Sequence, residues 1–493
     1  MTLEGIAGTF GRRDKGLVQR MLEKLVHRGS DSASLYETDG STLGARMKLA
    51  KPAPNARAIG EADGLAVASD SYIFNREFLR RTIAPATDPA LSDAKLILAM
   101  YRIVGPKLFG YIDGAFAIAV IDNGATVLAR DRYGMKPLYI SKDKSAGEFS
   151  SEIKSQMVGG GEFEPFPPGS LFVSGKGISR IQRRTAPWTR AETSGKPDRN
   201  LHELLIGSVQ GCVDGPDGFN ILLSGGVESS VVAAAASSVT KNLHSVCVGT
   251  EQSTDLRMAR KVAELTGTDH IDRVYGTEEM LRILKDVVCA AESFDYPLIR
   301  SCIPNYIAVR LFKDRQLVTL CGEGGNEIFA GYDFMLDIRD DDRLKKDRLA
   351  LLREAHLTEF HRVDRMTSSA SLDGRMPLMS QEVIDFGLSL GHQDLLGPKP
   401  ERNKLVLRKS FARELPKEIV WRKNERFSAG AGSINSLVVH AEKSISDKDF
   451  EKERKVLPKG RIRTKEELLY YRLFSECYPS PSAARAVGFT SRL

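Results

Sequence analysis

The N-terminal part of the chain, from Gly5 to about Ile181, is a series of short apolar runs separated by Gly, Asp, Asn and Pro. Runs such as GLAVASDSYIF and GAFAIAVIDNGATVLARD predict β-strands, whereas GLVQRMLEKLVHRG and DAKLILAMYRIVG have helical periodicity. The pattern therefore predicts a β-rich α+β domain over residues 1–185.

A different pattern follows a polar, proline-containing stretch that predicts a linker over residues 186–200. In residues 201–493, strand-like runs (FNILL, HSVCVG, LVTLC) alternate with helical patterns (RMARKVAELTG, NYIAVRLFKDR), and beyond Asp340 the patterns are almost wholly helical. Such alternation is typical of a parallel sheet covered by helices. We therefore expect an α/β second domain with a helical C-terminal part.

Composition excludes several classes of partner. The net charge is +7, but acidic and basic residues are interleaved, as in DIRDDDRLKKDRLALLREAH, so we expect a solvated helix face and no nucleic acid partner. No apolar run approaches twenty residues and no signal peptide is visible, so we expect no membrane segment and a cytoplasmic location. The six cysteines form no CxxC pair and are expected to be reduced, buried thiols that bind no metal: Cys212, Cys247, Cys289, Cys302, Cys321 and Cys477.

The most informative stretch is FNILLSGGVESSVVAAAA, a predicted strand, a short loop from Ser224 to Ser230, and an apolar helix. Two glycines let the backbone approach a ligand, and the N–H groups at the helix start together with the serine hydroxyls suit an anion. No Gly-Lys-Ser/Thr follows, so the loop is not a Walker A motif. By itself the stretch is also consistent with a Gly-Gly turn capped by serines.

LSGGVESS resembles the pyrophosphate loop of ATP pyrophosphatases, and its surroundings resemble asparagine synthetase over nearly the whole chain. GIAG, HRGSDS, RDRYGMKPLY, SSEIKS and FPPGS are similar to its class II amidotransferase domain. STDLRMARKVAELTGTDH, CGEGGNEIFAGY, DRMTSSASLDGRMPLM and LRKSFARELPKEIVWRKNERFSAGAG are similar to its synthetase domain. The resemblance implies an N-terminal Ntn-hydrolase-like sandwich followed by a parallel-sheet ATP-pyrophosphatase domain.

The resemblance also implies a lost glutaminase. Glu4 stands where the family has its N-terminal cysteine nucleophile, and Asp70-Ser71 replaces the Asn-Gly pair of the oxyanion hole. An anionic side chain there would repel the developing oxyanion. Asp93 matches the acid that binds the glutamine amine, and Arg46 is the nearest candidate for the arginine that holds its carboxylate. We expect no glutamine hydrolysis; a nucleophilic Thr2, exposed by methionine removal, is the alternative.

The synthetase residues are largely kept. The resemblance assigns Glu323 to formation and resolution of an acyl-adenylate, and Lys423 to the phosphates in the transition state. The residues implied for binding ATP and pyrophosphate are Leu222, Ser224, Gly225, Gly226, Glu228, Ser229, Ser230, Val248, Cys321 and Gly322.

Three departures concern the metal and the acceptor. Glu228 and Asn326 stand where the family has Mg²⁺-binding aspartates, so one ligand is longer and the other neutral, and Glu327 is a candidate to compensate. Arg300 matches an arginine that contacts aspartate, but the hydroxyls before it are lost in Pro297–Leu298. Ser380 replaces an aspartate in PLMS, which leaves the identity of the acceptor open.

These residues predict an ATP-dependent, amide-forming ligase that uses Mg²⁺, a small-molecule carboxylate, and ammonia or another amine. Two alternatives stay open: a catalytically inactive paralogue acting as a binding or regulatory subunit, and a ligase fed by a separate glutaminase partner. Retention of both Glu323 and Lys423 favours an enzyme. A homodimer is also left open by the sequence.

Overall fold

The computed structural model describes residues 2–51, 56–183, 196–212, 218–312, 315–397, 403–423, 434–457 and 460–490. Most of the predicted linker lies outside these residues, and its last four form the start of a helix at Pro197. Among the described residues, no helix combines the length and apolarity required to cross a membrane.

The N-terminal domain is a sandwich of two six-stranded sheets with helices on both outer faces. Its strands are β1 Thr2–Phe10, β2 Ser32–Thr38, β3 Ser41–Leu49, β4 Ile59–Ala62, β5 Leu65–Ile73, β6 Gly114–Asp122, β7 Ala125–Arg130, β8 Tyr139–Ser141, β9 Gly147–Ser150, β10 Phe163–Pro165, β11 Ser170–Val173 and β12 Gly177–Arg180. Its α-helices are α1 Lys15–Glu23, α2 Arg76–Ile83, α3 Asp93–Val104 and α4 Ile153–Gln156. The strand orders are β10-β8-β9-β1-β3-β2 and β12-β11-β7-β6-β5-β4.

Hydrophobic side chains explain this layering. Phe10, Phe149 and Phe172 are fully buried between the two sheets. A second cluster packs α3 onto the outer face of β5 and β6, and a third packs α1 onto β1. Asn123 and Gly124 take positive φ values of 46° and 88° in the β6–β7 hairpin, as an Asn-Gly turn requires.

The second domain contains one five-stranded parallel sheet. Its strands are β13 Phe219–Leu222, β14 Leu243–Gly249, β15 Asp269–Val274, β16 Val318–Leu320 and β17 Asp373–Arg375, in the order β15-β14-β13-β16-β17. The helices are α5 Pro197–Gly211, α6 Val227–Val239, α7 Thr254–Thr266, α8 Thr277–Ala291, α9 Tyr296–Arg310, α10 Gly325–Ile328, α11 Asp341–Glu354, α12 Glu359–Ser369, α13 Gln381–Ser389, α14 His392–Leu395, α15 Leu405–Ser410, α16 Lys417–Val420, α17 Ile434–Ser444, α18 Asp447–Glu453, α19 Lys465–Cys477 and α20 Pro481–Ala486.

Short 3₁₀ turns complete the chain at Val26–Arg28, Gly105–Gly110, Met157–Gly159, Asp333–Met335, Ala355–Leu357 and Pro377–Met379. The predicted fold class, an α+β sandwich followed by a parallel-sheet domain with a helical C-terminal part, is confirmed. The three-residue strand β17 lies in the region where the sequence pattern predicts helices.

The two domains share their hydrophobic cores. Tyr72, Tyr133 and Met135 of the sandwich belong to the same buried cluster as Ile221 on β13 and Val231 on α6. Another cluster joins the sandwich to α8, α9 and α19. The sandwich therefore helps to complete the core of the second domain.

The prediction of six reduced, buried cysteines is wrong for two of them. A disulfide joins Cys289 on α8 to Cys477 at the end of α19, with Cα atoms 6.0 Å apart. These helices pack side by side, and 188 residues separate the cysteines, so no local spacing indicates the pair. The remaining cysteines are free and buried as predicted: Cys212, Cys247, Cys302 and Cys321.

Candidate active site

A cavity of about 900 Å³ lies at the carboxyl ends of β13, β14 and β16. In the strand order β15-β14-β13-β16-β17, the direction of strand addition reverses between β13 and β16. Open parallel sheets bind ligands at such switch points, outside the carboxyl ends of their strands. The fold therefore favours a ligand here.

The predicted phosphate loop forms one wall of this cavity. Gly225 has φ +69°, and a Cβ there would come within 2.5 Å of the Ala259 nitrogen, so glycine is required. The Ser224 Oγ lies 3.1 Å from the Ser229 Oγ and accepts a hydrogen bond from the Gly226 N–H at 3.2 Å. The loop then enters α6, whose N-terminal N–H groups favour an anion.

Most of the predicted nucleotide residues line the cavity. Those that do are Leu222, Ser224, Gly226, Glu228, Ser229, Val248 and Gly322. Ser230 and Cys321 are not among the lining residues; both are buried, with exposures of 0% and 1%. Gly225 also stays outside the lining, and its role is to let the loop backbone pass α7.

The two predicted catalytic residues border the same cavity. Glu323 follows β16, and its Oε1 accepts a hydrogen bond from Arg362 Nη2 at 2.9 Å. Arg362 lies on α12 and is 9% exposed. Lys423 is exposed and reaches the cavity from the C-terminal helical region. The adjacent Arg422 donates to the Ser224 carbonyl at 3.2 Å, which attaches this segment to the phosphate loop.

The candidate metal ligands also lie together, but with altered chemistry. Glu228, Asn326 and Glu327 all line the cavity. Glu228 forms an ion pair with Lys404, whose side chain is fully buried. Asn326 contributes an amide without charge. In the part of the chain that the structure describes, no three His, Cys, Asp or Glu side chains are grouped to hold a metal.

Glu327 has a different environment from the other two. Its carboxyl accepts a hydrogen bond from the Tyr332 hydroxyl. Burial, followed by the negative charge of Glu359, raises the pKa of Glu327 to about 8. Without a cation beside it, this side chain therefore favours the protonated form at neutral pH.

The acceptor candidate Arg300 lines the cavity from α9. Its guanidinium pairs with Glu466 of α19, with Nε 2.9 Å from Oε1, and lies 4.8 Å from the centre of the Tyr296 ring. Ser380 does not line the cavity; its hydroxyl caps α13. Serine and aspartate cap helices about equally well, so capping does not explain the replacement at position 380. Ser380 is not among the residues that line the cavity.

The N-terminal candidate site is filled by buried side chains. Glu4 on β1 is 2% exposed, and its Oε2 accepts a hydrogen bond from Ser69 at 3.2 Å. Burial, followed by the negative charges of Asp93 and Asp70, raises the pKa of Glu4 well above its ordinary value. Asp70 is 1% exposed and lies 2.9 Å from Lys136 and 3.0 Å from Arg28.

Asp93 and Ser71 are close to each other, with the Ser71 hydroxyl 3.3 Å from the Asp93 carboxyl. Arg76 also binds Asp93, at 2.9 Å. Arg46 points to two backbone carbonyls, Leu22 at 2.8 Å and Gly29 at 3.2 Å. The residues of the degenerate site thus have partners within the protein.

Three charged residues of the cavity region escaped the sequence interpretation: Arg362, Lys404 and Arg422. In the structure each contacts a predicted site residue that is distant in sequence: Arg362 contacts Glu323, Lys404 contacts Glu228 and Arg422 contacts Ser224. The available signals were their positions in the sequence: Arg362 lies two residues before DRMTSS, and Lys404 and Arg422 lie immediately before LVLRKS and KNERFS.

Comparisons with known proteins agree with this geometry. The family model described as Asparagine synthase matches residues 200–359 and 336–491, and the model described as Glutamine amidotransferase domain matches residues 3–162. Asparagine synthetase [glutamine-hydrolyzing] of Asparagus officinalis is 29% identical over 514 residues, covering 97% of this chain and 86% of the relative. Asparagine synthetase B [glutamine-hydrolyzing] of Escherichia coli (strain K12) is 29% identical over 487 residues, covering 94% and 88%.

Proposed function

The chain belongs to the asparagine synthase family, a family of ATP-dependent ligases, and from this premise we propose that it joins a carboxylate to ammonia or another amine without using glutamine. One observation carries the proposal. Glu323, Lys423 and the Ser224–Ser230 loop meet at one open cavity, whereas the N-terminal candidate site is buried and internally paired.

The reaction would proceed in two steps. A carboxylate oxygen attacks the α-phosphorus of ATP, the bond from that phosphorus to the bridging oxygen breaks, and pyrophosphate leaves. The amine nitrogen then attacks the acyl carbon, the bond from that carbon to the AMP oxygen breaks, and the nitrogen releases a proton. The products are an amide, AMP and pyrophosphate.

The residues divide this work. The N–H groups at the start of α6 and the hydroxyls of Ser224 and Ser229 bind the departing pyrophosphate. Lys423 faces the negative charge that develops as pyrophosphate leaves. Glu323, oriented by Arg362, faces the acyl group through both steps. Lys423 and Glu323 are therefore the proposed catalytic residues.

The donor set fits a Mg²⁺ ion that enters with the nucleotide. Mg²⁺ is commonly held by one or two carboxylates together with substrate phosphates. Glu228 and the amide oxygen of Asn326 would supply the protein ligands, and the ion would neutralise phosphate charge. The neutral amide and the competing Lys404 predict weak metal binding.

The glutamine site supports an amine taken from solution. Glu4 lacks the thiol and α-amino group on which the family nucleophile depends. Asp70 adds a negative charge where an oxyanion donor is needed. We therefore propose that free ammonia or an amine substrate reaches the acyl-adenylate without prior glutamine hydrolysis.

The deciding experiment measures pyrophosphate and AMP released from ATP with Mg²⁺ and a panel of carboxylic acids, each with and without ammonium. The expected result is acid-dependent release of equal amounts of both products, with aspartate as one acid of the panel. If no acid stimulates release but the protein still binds ATP, the regulatory-subunit alternative is correct. The Glu228–Lys404 pair is the observation that favours this alternative.

A further inference from the structure

A cluster of buried ion pairs joins the sandwich to the sheet domain. Among the described residues it contains five cationic side chains, Arg28, Lys136, Lys154, Arg365 and Arg375, and five anionic side chains, Asp70, Glu152, Glu292, Asp364 and Asp373. All except Lys154 have side chains at most 7% exposed. We call this set the interdomain cluster; His27 contacts it at the rim through Glu152.

Asp70 occupies a bridging position in the cluster. Its Oδ2 lies 3.0 Å from Arg28 Nη1 and its Oδ1 lies 2.9 Å from Lys136 Nζ. Both cations also reach across the interface. Arg28 donates to Asp364 on α12 at 3.3 Å, and Lys136 donates to Asp373 on β17 at 3.2 Å. Asp70 therefore holds together two of the sandwich cations that bind the second domain.

Asp70 also balances the charge of the cluster. With Asp70 ionised, the five cations and five anions cancel, apart from any charge on His27 at the rim. A neutral amide at this position, as the family has, would leave one buried positive charge in excess. Buried charges are tolerated when they are paired, and an unpaired one is strongly unfavourable.

Two elements that the interdomain cluster binds, α12 and β17, also contact residues at the cavity. On α12, Arg362 and Asp364 are two residues apart and so point about 200° apart around the helix axis. Arg362 binds Glu323 at 2.9 Å, whereas Asp364 binds Arg28. On β17, the Arg375 carbonyl accepts a hydrogen bond at 2.9 Å from the N–H of Cys321, two residues before Glu323.

We propose that Asp70 is a positioning residue for the ligase site. It keeps Arg28 and Lys136 directed at α12 and β17, and these elements fix Arg362 beside Glu323. The carboxylate that spoils the oxyanion hole of the N-terminal site thereby supports the chemistry of the other domain. The kinetic part of the test rests on the proposed function, whereas the structural part does not.

The test compares Asp70→Asn with Glu148→Gln. Glu148 is a matched control because it is a buried carboxylate of the same domain, and its partners among the described residues, Arg12 and Ser141, lie within that domain. Asp70→Asn should lower kcat for acid-dependent pyrophosphate release about ten- to a hundredfold, as small displacements of catalytic groups do, with KM for ATP within about twofold. Amide hydrogen exchange over residues 359–369 should become faster. Glu148→Gln should change neither quantity.

A second variant separates charge balance from general damage. Asp70→Asn combined with Lys136→Met removes one charge of each sign, loses the Lys136–Asp373 contact and keeps the Arg28–Asp364 contact with α12, so it should recover part of the lost kcat and the slow exchange of α12. If Asp70→Asn keeps wild-type kcat and α12 exchange, the positioning role is wrong. If the wild type releases no pyrophosphate with any acid, the proposed function fails, and the exchange comparison alone decides this inference. If Asp70→Asn does not fold, a folded double variant supports the inference and an unfolded one overturns it.

Discussion

The two candidate sites of this chain use the same residue types for opposite purposes. In the N-terminal site, Asp70 is buried and both of its oxygens face cations of the protein. In the cavity, Glu323 is held by Arg362 but still borders open space of about 900 Å³. A carboxylate can act on a substrate only where space for the substrate adjoins it. The difference between the two sites therefore lies in access for a substrate and in charge balance.

The largest expected effect is in the cavity. Lys423→Met should lower acid-dependent pyrophosphate release about 10²- to 10³-fold, since one preorganised charge at the transition state is typically worth this much. ATP binding, measured by calorimetry, should change little because the Ser224–Ser230 loop is untouched. Lys417→Met is the control, because Lys417 is exposed nearby on α16 and does not line the cavity. Turnover of Lys423→Met at the wild-type rate would refute the catalytic assignment.

A smaller effect is expected at the metal site. Asn326→Asp restores a charged ligand and should lower the Mg²⁺ concentration for half-maximal pyrophosphate release about tenfold, or about 1.4 kcal/mol. Mn²⁺ binding followed by electron paramagnetic resonance gives a readout that does not require turnover. Asp333→Asn changes another lining residue and should leave the Mg²⁺ dependence unaltered. An unchanged or weaker dependence in Asn326→Asp would mean that Asn326 is no ligand or that Glu327 holds the ion.

A substitution in the buried N-terminal site should change the free energy of unfolding. The raised pKa of Glu4 means that the folded protein keeps this proton to a higher pH than the unfolded chain does. Stability is therefore lost as pH rises above the ordinary carboxyl pKa. Glu4→Gln does not titrate and should raise the free energy of unfolding at pH 8 by about 1–3 kcal/mol, the usual cost of an unsatisfied buried group.

Urea unfolding at pH 4 and pH 8 measures how the effect of Glu4→Gln on the free energy of unfolding depends on pH. The gain from Glu4→Gln should be present at pH 8 and nearly absent at pH 4, where Glu4 is protonated in both states. Glu23→Gln, at an exposed position of α1, should have no comparable effect. A gain of equal size at both pH values would show that ionisation of Glu4 is not its source.

The last prediction is that glutamine hydrolysis is absent and that a substitution of Thr2 has no effect on it. Wild-type protein should release no glutamate from glutamine above a buffer blank, because Glu4 and Asp70 replace the nucleophile and an oxyanion donor. Thr2→Ala should therefore change nothing. Glutamate release that Thr2→Ala abolishes would identify Thr2 as a nucleophile and place a working reaction in the buried site.

Features encoded within a short stretch were predictable from the sequence. The strand, loop and helix around Ser224 follow from local hydrophobic pattern and glycine chemistry, and the structure has them at Phe219–Leu222 and Val227–Val239. The alternation of strands and helices predicted the parallel sheet for the same reason. Motif matches singled out Glu323 and Lys423, and the structure places both at one cavity, although their catalytic roles stay predictions.

Features that depend on distant contacts were not predictable in this way. Lys404 meets Glu228 across 176 residues, and Arg28 meets Asp364 across 336. The resemblance assigns Cys321 to the nucleotide, and this assignment stays a prediction; packing against distant elements buries the Cys321 side chain in the core. Strand β17 has only three residues, too few for alternation to be visible. In each case the deciding information is the packing of elements far apart in the chain.

The shared hydrophobic core restricts how such a chain can change over time. Because Tyr72, Tyr133 and Met135 complete the core beneath β13 and α6, deleting the sandwich would uncover apolar surface on the sheet domain. Replacing single residues of the sandwich outside this shared core uncovers no such surface. In a protein built in this way, a substitution can remove the reaction of one domain, whereas the other domain still needs that domain for its folded core.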